Sequence, residues 1–589
     1  MTKYIRSDFI VFLFIFICVF FSYNTIVNAY YLFHDDWTLF FLEKENLIET
    51  IKDHRYRAAH TEMGRPLGHA FFAMGPFFIE KLNDGNIVRL FSLLLTSVFG
   101  YTIFKILNFL NYEKIFSISF VILFLLTPPF YILNYQISGQ YILICLIFSS
   151  IFMLLVINYF QFNNTLLESR KNKKLAYILL ALILIFGCLV NPRFFIFSSI
   201  YLFIYYIIII FLCRKNYINR KDTSTIIILS ILLYFSLSIY ATAALIIYSL
   251  APLILFASNI DKTNSQKINF ILRYMIFITS IIFLYFISLK TFIFFEDAHS
   301  GNIGRAISID FNFINKIIFY FTDVFPNALS LWRIDTKFIL VSYLLIPLVL
   351  LSYFILVLRS VSIRHSLLCI FIIVLSLILT IAPVIFIEDN YFAPYRSMIG
   401  HMFLLYFLLI FLFFNLFNQF KFWKYIVIFL ITYFIYLYGN WPNNIIRDKV
   451  IQPTEKELHF INNKIKNLNI AGKIKSGEKI TVYFNKLNTH SINNNVIQNI
   501  PVLAASGRGS PWIPEIIYSL LYDKHDIKYN LKRSDLKEKI VYEYLNKEKI
   551  QCISVSFPWG ILIYSDNVQV CQKNGSTNSL LIDMNKMEK

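Results

Sequence analysis

Stretches of about 20 apolar residues recur along this chain, the length an α-helix needs to cross a hydrocarbon core of roughly 30 Å. They fall near residues 8–33, 87–109, 115–133, 141–160, 175–190, 194–213, 225–241, 242–258, 269–290, 336–358, 366–387, 398–419 and 423–440. The expectation is therefore a mainly α, polytopic membrane bundle of about 13 transmembrane helices. Composition agrees: of 589 residues 57% are hydrophobic and only 15% charged, whereas a soluble domain carries about 25% charged residues. The first run is too long for a cleavable signal, and no small-residue cleavage site follows it.

Charge arbitrates the doubtful run at 225–258, which as one helix would invert the sense of everything after it. With the N-terminus cytoplasmic, the short inner loops carry Arg170, Lys171, Lys173 and Lys174, then Arg214, Lys215, Arg220 and Lys221, then Arg359 and Arg364, then Lys421 and Lys424. This positive-inside pattern holds on both sides of 225–258 only if that run is two helices. The net charge of +19 then reports topology. Nucleic acid is excluded as a partner because no basic stripe with interleaved aromatics stands apart from the loops.

The same topology puts residues 34–86, Asn191 to Arg193, residues 291–335 and the tail outside. Residues 1–440 form the membrane unit. From Trp441 to Lys589 the sequence turns polar, with helix-like "PTEKELHFINNKIKNL" beside strand-like "KITVYF" and "QCISVSF". This reads as a small extracytoplasmic α/β domain. Of seven cysteines, Cys18, Cys145, Cys188, Cys213 and Cys369 lie in apolar runs and read as small fillers. Cys552 and Cys571 lie on neighbouring strand-like runs of the tail, where an oxidising compartment favours a disulfide.

The ionisable groups crowd into the first outer loop. It opens with His34, Asp35, Asp36 and Trp37 and continues through His54, Arg55, Arg57, His60, Glu62, Arg65 and His69, the last two within "GRPLGH". The apolar runs carry no carboxylate at mid-length, whereas a lipid-linked glycan flippase or ion-coupled transporter places charge at mid-membrane depth. A membrane acyltransferase needs a His base or nucleophile presented to an acyl donor, and the His residues here are scattered. A carboxylate beside an aromatic and basic groups suits transfer between a lipid-borne phosphate sugar and an acceptor hydroxyl, the carboxylate taking the proton and Arg or His meeting charge on the leaving phosphate. Adjacent aspartates also disfavour each other's ionisation, so one orients while the other acts. From the residues alone, Asp35 and Asp36 serve equally well as caps of a following helix.

Other outward groups have the right chemistry for a lipid phosphate. Arg193 in "CLVNPRFF" and Arg396 in "EDNYFAPYRSMIGH" stand at outer helix ends, where an Arg either grips phosphate through its fork or anchors the helix by snorkelling. In the second large loop Glu296, Asp297, His299 and Arg305 are placed to close over a site, or to face solvent. The His and acidic residues of the first loop include metal-ligand types without a His-Glu-x-x-His spacing, so no metal or other cofactor is expected. "SGRGSPW" in the tail lacks the P-loop pattern.

A first helix leading into "HDDW", a first outer loop containing "GRPLGH", about 13 spans and an extracytoplasmic tail together resemble the GT-C membrane glycosyltransferases, nearest in flavour to bacterial enzymes that glucosylate O-antigen. The resemblance implies a polyprenyl-phosphate-linked sugar as donor and a hydroxyl of a cell-envelope glycan or lipid as acceptor. It also implies the bacterial inner membrane, with the tail periplasmic or extracellular. It maps the general base onto Asp35 or Asp36 without choosing between them, with Asp35 nearer the membrane plane. His34, Trp37, Arg65, His69, Arg193 and Arg396 become candidate substrate-binding residues. The tail lacks the Trp-Trp-Asp triplet of oligosaccharyltransferases, which disfavours a peptide acceptor.

Overall fold

The protein is described here from a computed structural model over residues 2–28, 65–77, 85–162, 189–214, 223–257, 264–295, 313–328, 363–382 and 397–417, with isolated positions elsewhere and five short strands in the tail. Outside the tail the described residues are mainly helical. The helices are α1 (Thr2–Val27), α2 (Gly68–Phe77), α3 (Gly85–Phe109), α4 (Lys114–Leu125), α5 (Pro128–Tyr135), α6 (Gln140–Phe162), α7 (Pro192–Arg214) and α8 (Thr223–Ala244). They continue with α9 (Leu250–Phe256), α10 (Asn264–Phe295), α11 (Phe313–Phe319), α12 (Phe325–Ala328), α13 (Ile363–Leu379) and α14 (Ile399–Phe417).

Among the described residues five helical stretches are long and apolar enough, by length and composition, to cross a membrane: Asp8–Val27, Gly85–Phe109, Gln140–Asn158, Ser265–Phe294 and Thr225–Phe256, the last reaching its length only across an interruption at Tyr240. A sixth counts if the bent pair Lys114–Leu125 and Pro129–Tyr135 is one span. Arg193–Ile207, Leu367–Leu379 and Ile399–Leu412 are shorter apolar helices, while the apolar run at 336–358 lies outside the described residues and those at 175–190 and 423–440 are described only at scattered positions. Exposed faces are themselves apolar: α7 presents Ile196, Ile200, Phe203, Ile204 and Ile207, a one-sided stripe at helical spacing. Water would penalise such a face and lipid does not.

One expected helix is bent, and the doubtful run at 225–258 is interrupted close to the boundary expected between its two helices. The run 115–133 bends by 61° between α4 and α5, at the Pro128–Pro129 pair. Proline has no N–H for the ladder and disfavours the α conformation in the residue before it. The run Thr225–Phe256, 32 residues long, breaks at Tyr240, whose φ of −157° and ψ of 92° are extended. No Gly or Pro stands there.

Contacts along the helices fix their relative directions. Asp8 pairs with Lys105 at 2.9 Å, so the start of α1 meets the end of α3 and the two run antiparallel. Phe99 packs on Phe124 and Thr96 donates to Asn134 at 2.9 Å, which sets α4–α5 against α3. Gln140 donates to the Val88 carbonyl at 3.0 Å, start to start, so α6 follows α3. Ser149 meets Ser236 at 2.6 Å and Tyr141 packs on Tyr240, so α8 ascends against α6.

Beyond the break the sense changes. Tyr240 meets Ser397 at 3.1 Å, Ser249 reaches the Gly400 carbonyl at 3.4 Å and Phe256 packs on Phe411, so residues 241–256 run with α14. α14 in turn opposes α4 through Phe403 on Phe124 and Phe414 on Phe116. The chain therefore doubles back at Tyr240. One end of the bundle gathers the exit of α1, the starts of α3, α6 and α14, the ends of α10 and α13, and Tyr240. The other gathers Asp8, Lys105 and the Tyr112 hydroxyl on the Leu253 carbonyl at 2.7 Å.

The interior is aromatic. Phe116, Phe120 and Phe124 stack down α4 and meet Phe403, Phe407 and Phe411 of α14 edge to face. In lipid, where apolar burial gives no drive, such packing holds helices together, each ring pair contributing about 0.5–1.5 kcal/mol. The turn Ile137–Gly139 that leads into α6 is equally close-set, and a Cβ on Gly139 would lie 2.5 Å from the Leu133 carbonyl. Gly139→Ala is expected to cost about 1–3 kcal/mol by overpacking, read as a lowered thermal midpoint of the detergent-solubilised protein.

In the tail, β1 (Ile480–Phe484) lies between β2 (Ile540–Tyr544) and β5 (Ser579–Ile582), all parallel, and β3 (Val555–Phe557) pairs antiparallel with β4 (Gly560–Leu562). The strand-like runs "KITVYF" and "QCISVSF" contain β1 and β3. Cys552 and Cys571 lie outside the described residues.

Candidate functional site

The break at Tyr240 frees backbone carbonyls from the helical ladder, and buried carbonyls need donors. Leu67 N–H donates to the Ser238 carbonyl at 2.9 Å, and the Cys145 thiol lies 3.3 Å from the Tyr240 carbonyl. Cys145 is thus more than a filler, whereas Cys18 and Cys369 are buried free thiols as expected of one. The segment that docks on the break is Arg65-Pro66-Leu67-Gly68, closed into a turn by Gly68 N–H to the Arg65 carbonyl at 2.9 Å. α2 starts from that turn.

A second tether comes from the loop before α7. Asn191 is buried, and its amide Nδ2 donates to the Pro66 carbonyl at 3.4 Å while Oδ1 accepts the Phe194 N–H at 3.2 Å. Asn at the N-cap followed by Pro at the first helical position is a strong helix start. The same side chain that starts α7 therefore also holds the first-loop turn. Two loops singled out from the sequence, "GRPLGH" and "NPR", meet here.

Arg65 carries the charge of this site. Its Nη1 donates to the Tyr141 hydroxyl at 3.3 Å and its Cζ lies 4.4 Å from the centre of the Tyr240 ring. Tyr141 and Tyr240 are buried and meet edge to face at 5.4 Å. Phe72 of α2 closes on Tyr141 at 5.5 Å, and the Tyr240 hydroxyl meets Ser397 Oγ at 3.1 Å. Among the described residues no carboxylate meets Arg65. A half-buried guanidinium with aromatic neighbours and no carboxylate partner among the described residues has the chemistry to receive an anionic group.

One turn along α14 stands a second buried cluster. His401 Nδ1 lies 3.1 Å from the Leu377 carbonyl and Nε2 lies 3.3 Å from the Tyr320 hydroxyl. The consistent assignment is Nδ1–H donating to Leu377 and Nε2 accepting from Tyr320. Tyr320 opens a single π-helical turn, Tyr320–Val324, between α11 and α12. Through it the described part of the second large loop is fastened to the ends of α13 and α14.

Of the residues singled out from the sequence, Arg65 occupies the centre of this cluster. His69 is buried in the first turn of α2, and Arg193 is exposed at the start of α7, two residues from Asn191. Arg396 immediately precedes Ser397 but lies outside the described residues, as do His34, Asp35, Asp36, Trp37, Glu296, Asp297, His299 and Arg305. No three His, Cys, Asp or Glu side chains converge among the described residues. Tyr141, Tyr240, Asn191, Ser397 and His401 were not singled out from the sequence. Only Asn191, through its Asn-Pro helix-start signature, had a local signal. No family model matches the chain, and no curated protein or solved structure matches it either.

Proposed function

We propose that the protein is an integral membrane glycosyltransferase of the GT-C type, moving a sugar from a polyprenyl-phosphate donor to a hydroxyl of a cell-envelope glycan or lipid. The observation that carries this reading is Arg65: a cation with no protein carboxylate among the described residues, fixed on Tyr240 at one end of an apolar bundle. The chain leaves α1 at that same end and runs on to His34, Asp35, Asp36 and Trp37.

In this reaction Asp35 or Asp36 takes the proton of the acceptor hydroxyl as its oxygen bonds to the anomeric carbon. The bond from that carbon to the phosphate oxygen breaks, and the lipid phosphate leaves with its added negative charge. Arg65 meets that charge with paired N–H donors. Arg396, next to Ser397, is the second guanidinium proposed for the phosphate, and His34, Trp37, His69 and Arg193 belong to the substrate-facing rim. The tail from Trp441 is proposed as an extracytoplasmic α/β domain that helps hold the acceptor.

Doubling back at Tyr240 supports the two-helix reading of 225–258, while about 13 spans, a cytoplasmic N-terminus and an external tail are proposed from the apolar runs and the loop charges. Mass spectrometry of envelope glycans and lipids from cells with and without the protein tests the function. A sugar missing from one component is expected, and unchanged profiles would overturn the reading. A membrane-impermeant maleimide on intact cells tests the topology and the proposed Cys552–Cys571 bridge. Both tail cysteines are expected to label only after reduction. Labelling without reductant would exclude the bridge, and no labelling until the membrane is opened would place the tail inside.

A further inference from the structure

We propose that Tyr240 and Gly68 are positioning residues that set where the Arg65 guanidinium points. An arginine paired with a carboxylate takes its direction from that partner, and Arg65 has no such partner among the described residues. Among the described residues its guanidinium meets the Tyr141 hydroxyl at 3.3 Å and the face of the Tyr240 ring at 4.4 Å.

The ring is itself fixed at both ends. Its backbone is the break in α8, and its hydroxyl is on Ser397 at 3.1 Å. The backbone of Arg65 is set by the turn that Gly68 closes against that same break. A Cβ on Gly68 would stand 2.6 Å from the Ile239 carbonyl oxygen and 2.9 Å from Arg65 Cβ. Both atoms belong to the docked pair, so any side chain at position 68 must lift the turn off the break and carry Arg65 with it. Glycine is needed here for close approach of two backbones. The break, the turn and the guanidinium thus form one unit, which Leu67 and Gly68 join on the backbone side and the Tyr240 ring on the side-chain side.

The test reads Arg65 directly and uses the proposed function only in its second part. The full-length protein in detergent is treated with p-hydroxyphenylglyoxal, and modification of Arg65 is followed by mass spectrometry of its peptide. Arg89, which is fully buried on α3, is the internal control for opening of the fold. Tyr240→Phe keeps the ring face and its backbone fixing but loses the tether to Ser397, so it is expected to raise the Arg65 rate less than Tyr240→Leu does. Tyr240→Leu and Gly68→Ala are expected to raise the Arg65 rate about fivefold, equivalent to roughly 1 kcal/mol and typical of a lost cation–π contact, with Arg89 still protected. Unchanged Arg65 rates in both variants would overturn the proposal, as would Arg89 modification rising in parallel. In a transfer assay the two variants are expected to lower kcat, by less than Arg65→Ala does, with a smaller rise in KM for the polyprenyl-phosphate donor. A complete lack of transfer by the wild type would sink the glycosyltransferase reading and leave the Arg65 measurement standing.

Discussion

Arg65→Ala is expected to lower sugar transfer by about 10²–10³-fold, the usual loss when one donor to a developing oxyanion is removed. The bundle should survive the change. Arg65 contributes one hydrogen bond at 3.3 Å and one stacking contact at 4.4 Å to the fold. Together these are worth on the order of 1–2 kcal/mol, and Ala also removes a cation that has no carboxylate partner among the described residues. Arg65→Lys separates charge from shape: an ammonium keeps the positive charge and loses the paired fork, so an intermediate rate is expected. Initial rates with a polyprenyl-phosphate sugar, alongside thermal midpoints, decide it. A wild-type rate for Arg65→Ala would remove this residue from the reaction. A collapse of the midpoint would mean that Arg65 serves the fold.

The membrane character of the chain was legible because lipid imposes a length and a composition on every span, and Gly85–Phe109 and Gln140–Asn158 match the runs at 87–109 and 141–160 closely. Arg65 was legible for a different reason. It was singled out through the resemblance that "GRPLGH" carries, and Arg next to Pro also reads as non-helical backbone. The bend at Pro128–Pro129 had a local signal, yet hydrophobicity alone ran straight through it. Tyr240 had none: "SIYATAA" reads as uninterrupted helix. Its break is held by partners far away in sequence, Leu67 and Cys145, and no local propensity records a donor that arrives from another helix. Charge in the flanking loops nevertheless pointed to a reversal in that region, because loop charge reports chain direction where propensity reports only conformation. Ser397 and His401 were passed over since each matters only through what α8 and the Tyr320 turn bring to it.

The second large effect is expected from the carboxylates that follow α1. The Tyr23 hydroxyl on the Leu125 carbonyl fixes the last turns of α1 against α4, so the chain emerges at the end of the bundle where Arg65, Tyr240 and Ser397 meet. Asp35 lies eight residues beyond Val27, a span of at most about 26–29 Å when extended, so it has the reach to face a phosphate held on Arg65. Asn keeps the shape of Asp and cannot take a proton. Asp35→Asn and Asp36→Asn are therefore expected to differ sharply, one losing about 10²–10⁴-fold in kcat as a removed general base does, the other about tenfold or less as a removed orienting group. A base and its orienting neighbour act as one device, so the double variant should be no slower than the worse single one. Expression and thermal midpoint are expected to match wild type, because Asn keeps the size and shape of Asp. Two near-normal single variants would show that the base lies elsewhere in the first loop. Two independent, multiplying losses would show that the pair binds substrate through both carboxylates and that neither is the base.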